Sequence, residues 1–147
     1  AYDALSDGMK ALLGGLGVVN SAAKNKDTLR MDHLEDGAMK GRDADQMEVR
    51  EAIHPAVRTH PETGRKSLYI SEAHAVRFDG MTAEESEPIL EYLYGHVIRE
   101  EFTCRFRWTA GTLAIWDNRC TLHYPLNDYH GHRRELHRVT IDGDRPR

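Results

Sequence analysis

The chain has 147 residues, of which 39% are hydrophobic and 30% are charged, a composition that fits one compact soluble domain and excludes a disordered tail or a fibre. Its formal net charge of −4 argues against nucleic acid as a partner, because no broad basic surface is available to neutralise phosphates. No segment approaches the roughly 18 apolar residues of a membrane-spanning helix, and the first residues lack a secretory signal pattern, so we expect a cytoplasmic protein with no membrane partner.

The first residues have the periodicity of a helix. Apolar side chains recur at helical spacing from Leu5 to Leu16, and glycines at positions 14, 15 and 17 end the pattern. We therefore predict a helix near residues 2–16. Because the chain opens at Ala1 without a methionine and enters this helix at once, we expect it to be joined midway, with part of its domain lying upstream.

Residues 18–53 are polar, mixed in charge and poor in aromatic side chains. Such a segment has little apolar surface to bury, so we predict a mobile excursion, with one short helix near residues 43–51, that could act as a lid. The pair His33 and Glu35 lies within it. We do not expect this pair to bind a metal, because no rigid frame surrounds it.

Two elements with clear local signals follow. Short β-prone segments on either side of the Pro-Glu-Thr-Gly turn at 61–64 predict a hairpin between His54 and Ile70. Thr82 then begins a capping-box pattern, and apolar residues at helical spacing predict a helix that ends near Arg99. If exposed, this helix would suit packing between the subunits of a homo-oligomer.

The last third of the chain has the alternation of an antiparallel sheet. Residues 102–108 and 135–142 alternate apolar and polar side chains, and residues 113–116 form a short apolar run. We predict strands at all three places. Both cysteines, Cys104 and Cys120, fall in this region, and we interpret them as reduced thiols in the core.

Among the nine histidines, His123 has the most informative surroundings. A predicted strand ends at Trp116, a polar turn follows at residues 117–119, and the returning segment carries His123. The turn can fix the position of the imidazole. For the hairpin histidines, His54 and His60, we expect solvent exposure or hydrogen bonds to the hairpin turn.

Two arginines downstream are candidates for binding anions. On a strand, Arg134 and Arg138 would share a face, with Cα atoms about 13 Å apart at about 3.3 Å per residue. That separation suits two anions bound side by side, since each planar guanidinium can bind a carboxylate or sulfonate through two hydrogen bonds. Two surface arginines on an edge strand would explain the pattern equally well.

A longer signature unites these residues. It reads Trp108-x7-Trp116-Asp117-Asn118-Arg119-x3-His123-x4-Asp128-Tyr129-x3-Arg133-Arg134-x3-Arg138-x4-Gly143-Asp144-x-Pro146. This signature resembles that of the C-terminal part of the taurine dioxygenase family of Fe(II)- and 2-oxoglutarate-dependent oxygenases. The segment from His54 to Ile70 resembles the central region of the same family.

The resemblance implies a fold and roles for three residues. The fold would be mainly β with flanking helices, a double-stranded β-helix or jelly roll, incomplete at its N-terminus, with residues 1–147 forming the C-terminal portion of one oxygenase domain. His123 would be a catalytic metal ligand, Arg134 would bind the far carboxylate of 2-oxoglutarate, and Arg138 would bind the substrate. The other two iron ligands of the family form an H-x-D motif, which is absent from these 147 residues and is expected upstream of Ala1.

The implied reaction is hydroxylation of a small anionic substrate such as a taurine-like sulfonate or an alkyl sulfate. Fe(II) would be the cofactor, and O2 and 2-oxoglutarate the cosubstrates, with release of sulfite or sulfate, succinate and CO2. Two alternatives remain open: the same chemistry on a carboxylate such as an aryloxyalkanoate, and a jelly-roll module that binds an anion without catalysis.

Overall fold

The computed structural model describes residues 1–24, 51–126 and 128–147. The greater part of the predicted excursion or lid lies outside these ranges. The same is true of the His33 and Glu35 pair and of nearly all of the short helix predicted near residues 43–51.

The predicted first helix is present and shorter than expected. A 3-10 turn at Tyr2–Ala4 precedes helix α1 at Asp7–Leu13. Leu5 is extended between them, and the hydroxyl of Ser6 accepts a hydrogen bond from the Met9 amide at 3.3 Å, which caps α1. The capping side chain starts a new helix at this point, so the periodic pattern is divided into two pieces.

A three-stranded antiparallel sheet contains strands β1 (Gly17–Ser21), β2 (Glu51–Pro55) and β5 (Ala75–Phe78), in the order β2-β1-β5. The predicted limits of the excursion, residues 18–53, are therefore wrong at both ends. Val18 and Val19 are buried in β1, and their branched side chains favour a strand whose faces are covered.

The predicted hairpin is confirmed. Strands β3 (Val57–Thr59) and β4 (Lys66–Leu68) pair antiparallel, with Thr59 opposite Lys66. Gly64 closes the turn between them with a φ of 69°, a conformation that glycine adopts without strain.

Helix α2 spans Ala83–Val97 and begins with the predicted capping box. The Thr82 hydroxyl accepts a hydrogen bond from the Glu85 amide, and the Glu85 carboxylate accepts one from the Thr82 amide. Ser86 joins α2 to β5, because its buried hydroxyl accepts a hydrogen bond from the Phe78 amide at 3.0 Å. The core between the helices and strands consists of Leu5, Leu13, Val18, Ala56, Ile70, Ala75, Phe78, Leu90 and Leu93.

Leu93→Ala is expected to destabilise this core. Leu93 is fully buried, so its truncation should lower the free energy of unfolding by about 2–5 kcal/mol through lost burial and the cavity left behind. Ile98→Ala is the control, because Ile98 is 72% exposed and a surface change should stay within about 0.5 kcal/mol. Urea unfolding of the full-length protein, followed by circular dichroism, compares the two variants. Equal losses would contradict the assignment of Leu93 to the core.

The three strands predicted in the last third are not found among the residues described there. Residues 103–126 and 128–147 contain turns and irregular backbone, after a 3-10 turn at Glu100–Phe102. The apolar side chains of Leu113, Ile115, Val139 and Ile141 are more than four-fifths exposed. A strand forms only where a neighbouring strand accepts its backbone hydrogen bonds, and an alternating pattern does not supply that neighbour.

Cys104 and Cys120 are free thiols, as predicted, but both are exposed. Their expected place in the core was wrong, because it depended on the strands predicted around them. Five strands and the helices beside them make the fold of the described residues mainly β with flanking helices, as predicted. Within the described residues, no helix has the length and apolar content needed to cross a membrane.

The end of the chain returns to the hairpin. The Thr59 amide donates a hydrogen bond to the carbonyl oxygen of Arg147 at 3.0 Å. One strand position earlier, the guanidinium of Arg58 pairs with Asp144 at 3.1 Å. The Arg58 side chain is only 4% exposed, so this ion pair is the means by which a buried charge is compensated.

Candidate functional site

The turn predicted after Trp116 is present and is organised by Asp117. Its carboxylate accepts hydrogen bonds from the backbone amide of Arg119 at 2.8 Å and from the Arg119 guanidinium at 2.7–3.0 Å. Its backbone carbonyl accepts from the amides of Cys120 and Thr121. We call residues 117–121 the Asp117 turn.

The Asp117 turn is followed by His123 and preceded by Trp116. The two rings contact each other, with centroids 5.0 Å apart and planes inclined by 49°. The indole nitrogen of Trp116 donates a hydrogen bond to the side-chain oxygen of Asn118 at 2.9 Å. Trp116 is thereby fixed to the turn while its ring lies beside the imidazole of His123, which is itself exposed.

The charges of the Asp117 turn are strongly coupled. Hydrogen bonds from Arg119, and a further one from His60, hold the pKa of the Asp117 carboxyl well below its usual range. The pKa of Arg119 is raised by its hydrogen bonds to Asp117 and to Glu62. Asp117 therefore remains an ionised acceptor throughout the pH range in which proteins are ordinarily handled.

His60 and Glu62 connect the hairpin turn to the Asp117 turn. The Nε2 atom of His60 lies 3.1 Å from the Asp117 carboxylate, and Glu62 pairs with Arg119 at 3.0 Å. The expectation that His60 bonds to its own hairpin turn is confirmed, because its Nδ1 accepts from the amides of Glu62 and Thr63. The sequence did not predict the contact with Asp117, which joins residues 57 positions apart.

Three potential metal ligands meet at this place. A ring nitrogen of His60, a carboxylate oxygen of Asp117 and the sulfur of Cys120 all lie within 4.8 Å of one another. Since His60 Nδ1 accepts two amide hydrogens, Nε2 carries the ring proton and has no lone pair for a cation. The Asp117 carboxylate is also occupied by Arg119. The contacts therefore favour a hydrogen-bonded network over a metal site.

The two candidate arginines are exposed and lie outside any strand or helix. The Arg134 guanidinium stands over the ring of Tyr129, 5.2 Å from its centroid, an arrangement that stabilises the cation. Its neighbour Arg133 pairs with Glu135. The strand that would place Arg134 and Arg138 on one face is not formed among the described residues, so their shared face stays a prediction.

The imidazole of His123 is suited to one position of a metal site. Its imidazole is a suitable ligand for iron, and the adjacent Trp116 ring holds it. Among the described residues, the single cluster of three potential ligands does not include His123. His123 alone does not complete the set of three ligands that the predicted iron site needs.

Comparison with known proteins places these residues in a wider context. The family model described as "Taurine catabolism dioxygenase TauD, TfdA family" matches residues 1–140. A sulfate ester dioxygenase of Pseudomonas putida, named as alpha-ketoglutarate-dependent, is 37% identical over 147 residues, which cover 99% of this chain and 48% of the relative. An alpha-ketoglutarate-dependent 2,4-dichlorophenoxyacetate dioxygenase of Cupriavidus pinatubonensis is 36% identical over 144 residues, covering 98% of this chain and 47% of the relative.

The fold is likewise similar to a solved structure. A taurine dioxygenase from Burkholderia xenovorans matches with a TM-score of 0.61 and 36% identity, over 80% of this chain and 35% of that one. This likeness confirms the predicted jelly-roll class. The chain spans only 35–48% of the length of these three proteins.

Proposed function

Because the chain belongs to the TauD/TfdA family of taurine catabolism dioxygenases, we propose that the full-length protein hydroxylates a small sulfonate or alkyl sulfate. The family is Fe(II)- and 2-oxoglutarate-dependent. One oxygen atom of O2 enters the substrate and the other enters succinate, while 2-oxoglutarate loses CO2. Hydroxylation of the carbon that bears the sulfur group gives a product that collapses to release sulfite or sulfate. The relationship to a sulfate ester dioxygenase across nearly the whole chain carries this proposal.

Three residues of this chain have roles in the proposal. His123 is one ligand of the iron, Arg134 binds the far carboxylate of 2-oxoglutarate, and Arg138 binds the anionic group of the substrate. The contact of Trp116 with His123 supports the first role, since a ligand must be held in one orientation. The placement of Arg134 over Tyr129 supports the second, because contact with an aromatic ring stabilises a cation without using its hydrogen-bond donors, which a carboxylate can then accept from. Bound iron and cosubstrate supply the oxidising power, and the protein supplies binding and orientation.

A carboxylate substrate is the second candidate. It is favoured by the relative that acts on 2,4-dichlorophenoxyacetate. A guanidinium binds carboxylates and sulfonates through similar pairs of hydrogen bonds, so Arg138 would serve either.

Release of succinate across a panel of substrates tests the proposal. With Fe(II) and 2-oxoglutarate, we expect the full-length protein to turn over alkyl sulfates or sulfonates with a kcat/KM at least about tenfold above that for aryloxyacetates, a ratio that pocket shape can supply. Omission of iron is the control. The opposite order would support the carboxylate alternative. If none of the substrates gave succinate, catalysis would be contradicted and the anion-binding module would remain as the alternative.

A further inference from the structure

We propose that His60 is a positioning residue for His123. Its ring N–H holds the Asp117 turn against the hairpin, and the turn in turn holds Trp116 beside the imidazole of His123. The inference rests on the proposed function, because it requires His123 to be an iron ligand. It assigns a role to a side chain that lies outside the iron, cosubstrate and substrate contacts proposed above.

The first step is the tautomer of His60. The amides of Glu62 and Thr63 both point at Nδ1, at 3.3 Å each. An atom that accepts hydrogen bonds cannot carry a proton, so the neutral ring carries its proton on Nε2. That proton is directed at Asp117, 3.1 Å away. The hairpin turn thus fixes both the orientation and the donor atom of His60.

The second step is the attachment of the Asp117 turn. The His60 side chain is 11% exposed and that of Asp117 is 34% exposed, so their contact is partly shielded from water. The ion pair between Glu62 and Arg119 joins the same two turns, but the Glu62 side chain is 72% exposed. An exposed pair contributes little. The hydrogen bond between His60 and Asp117 is therefore the stronger of the two contacts between the turns.

The third step leads from the turn to the imidazole. Asp117 directly follows Trp116 in the chain, and Asn118 holds the indole nitrogen. A shift of the turn relative to the hairpin would move the Trp116 ring, and with it the surface on which His123 rests. Loss of the His60 donor would leave the bonds between Asp117 and Arg119 intact. We therefore expect weaker iron binding, by about tenfold, and no complete loss, since supporting contacts of metal ligands have effects of this size.

A matched pair of variants isolates the hydrogen bond. His60→Gln retains an amide donor at a similar distance from the backbone, whereas His60→Met has a similar length and no donor. Both variants lose the acceptor toward Glu62 and Thr63, so damage to the hairpin is common to the two. His74→Gln is the control, because His74 is an exposed histidine in another segment.

Two readouts on the full-length protein test the inference. Deuterium exchange of the amides of residues 119–121, without metal, should be faster in His60→Met than in His60→Gln. The dissociation constant for Fe(II), from titration in the presence of 2-oxoglutarate, should rise about tenfold in His60→Met and stay within about threefold of the wild type in His60→Gln and His74→Gln.

The outcomes separate the inference from the proposed function. If the wild type binds iron and the Gln and Met variants bind it equally well, His60 is not a positioning residue, even if their exchange rates differ. If the wild type itself binds no iron, the proposed function is contradicted and the inference is overturned with it. Weak iron binding that Gln restores and Met does not would support the inference.

Discussion

His123→Ala is expected to abolish turnover by the full-length protein. An alanine cannot coordinate iron, and removal of a ligand should reduce succinate release by more than about 100-fold, beyond the 10–100-fold losses seen for residues that only support a ligand. Its side chain is exposed beside Trp116 and lies outside the buried core. The free energy of unfolding in the absence of metal should therefore change by less than about 0.5 kcal/mol.

His132→Ala is the control for this experiment. His132 is also exposed and lies nine positions further along the chain, so the two variants alter comparable surface histidines. Succinate release should be unchanged by His132→Ala. If His123→Ala retained more than a tenth of the wild-type activity, His123 would not be an iron ligand and another histidine would have to be sought.

Arg134→Ala and Arg138→Ala are expected to weaken the binding of different molecules. A hydrogen bond to a charged group contributes about 1.5–3 kcal/mol, so each loss should raise one KM by about 10–150-fold. Arg134→Ala should raise the KM for 2-oxoglutarate, and Arg138→Ala that for the sulfonate or sulfate. Initial rates, measured with one compound varied while the other saturates, separate the two constants.

Two further variants sharpen this assignment. Arg134→Lys keeps the charge and loses the planar pair of donors, so it should recover only part of the 2-oxoglutarate affinity. Arg133→Ala removes a guanidinium that pairs with Glu135 and should leave both KM values close to those of the wild type. A rise in the 2-oxoglutarate KM in Arg138→Ala alone would reverse the roles proposed for Arg134 and Arg138.

The elements that were predicted correctly have signals in their own residues. Helix α2 begins directly after Thr82, because Thr82 and Glu85 cap it from within the same four residues. The hairpin turns at Gly64, because the positive φ there favours glycine. Strands β1 and β5 were missed, since each is only four or five residues long and is defined by its neighbours in the sheet. The strands predicted beyond residue 102 were wrong for a related reason. Alternating apolar and polar residues define the two faces of a strand, but they do not provide the neighbouring strand with which it must pair.

The candidate site divides in the same way. The Asp117 turn and its place before His123 could be predicted, because Asp and Asn close tight turns through local hydrogen bonds. The contact of His60 with this turn depends on the path of the chain between the two segments. The spacing of residues in the sequence does not predict this contact. The choice of His123 as a ligand required the family signature, since the spacing alone allowed other interpretations.

The exposed apolar side chains of the last third affect how the molecule behaves at high concentration. Leu113, Ile115, Val139 and Ile141 present hydrocarbon to water from backbone that belongs to no strand or helix among the described residues. Segments of this kind add onto one another edge to edge, and a net charge of only −4 gives little colloidal repulsion once salt screens it. Preparations of the 147-residue chain by itself would therefore be prone to precipitate as ionic strength rises, which favours dilute, low-salt buffers and makes light scattering a useful first check on any sample.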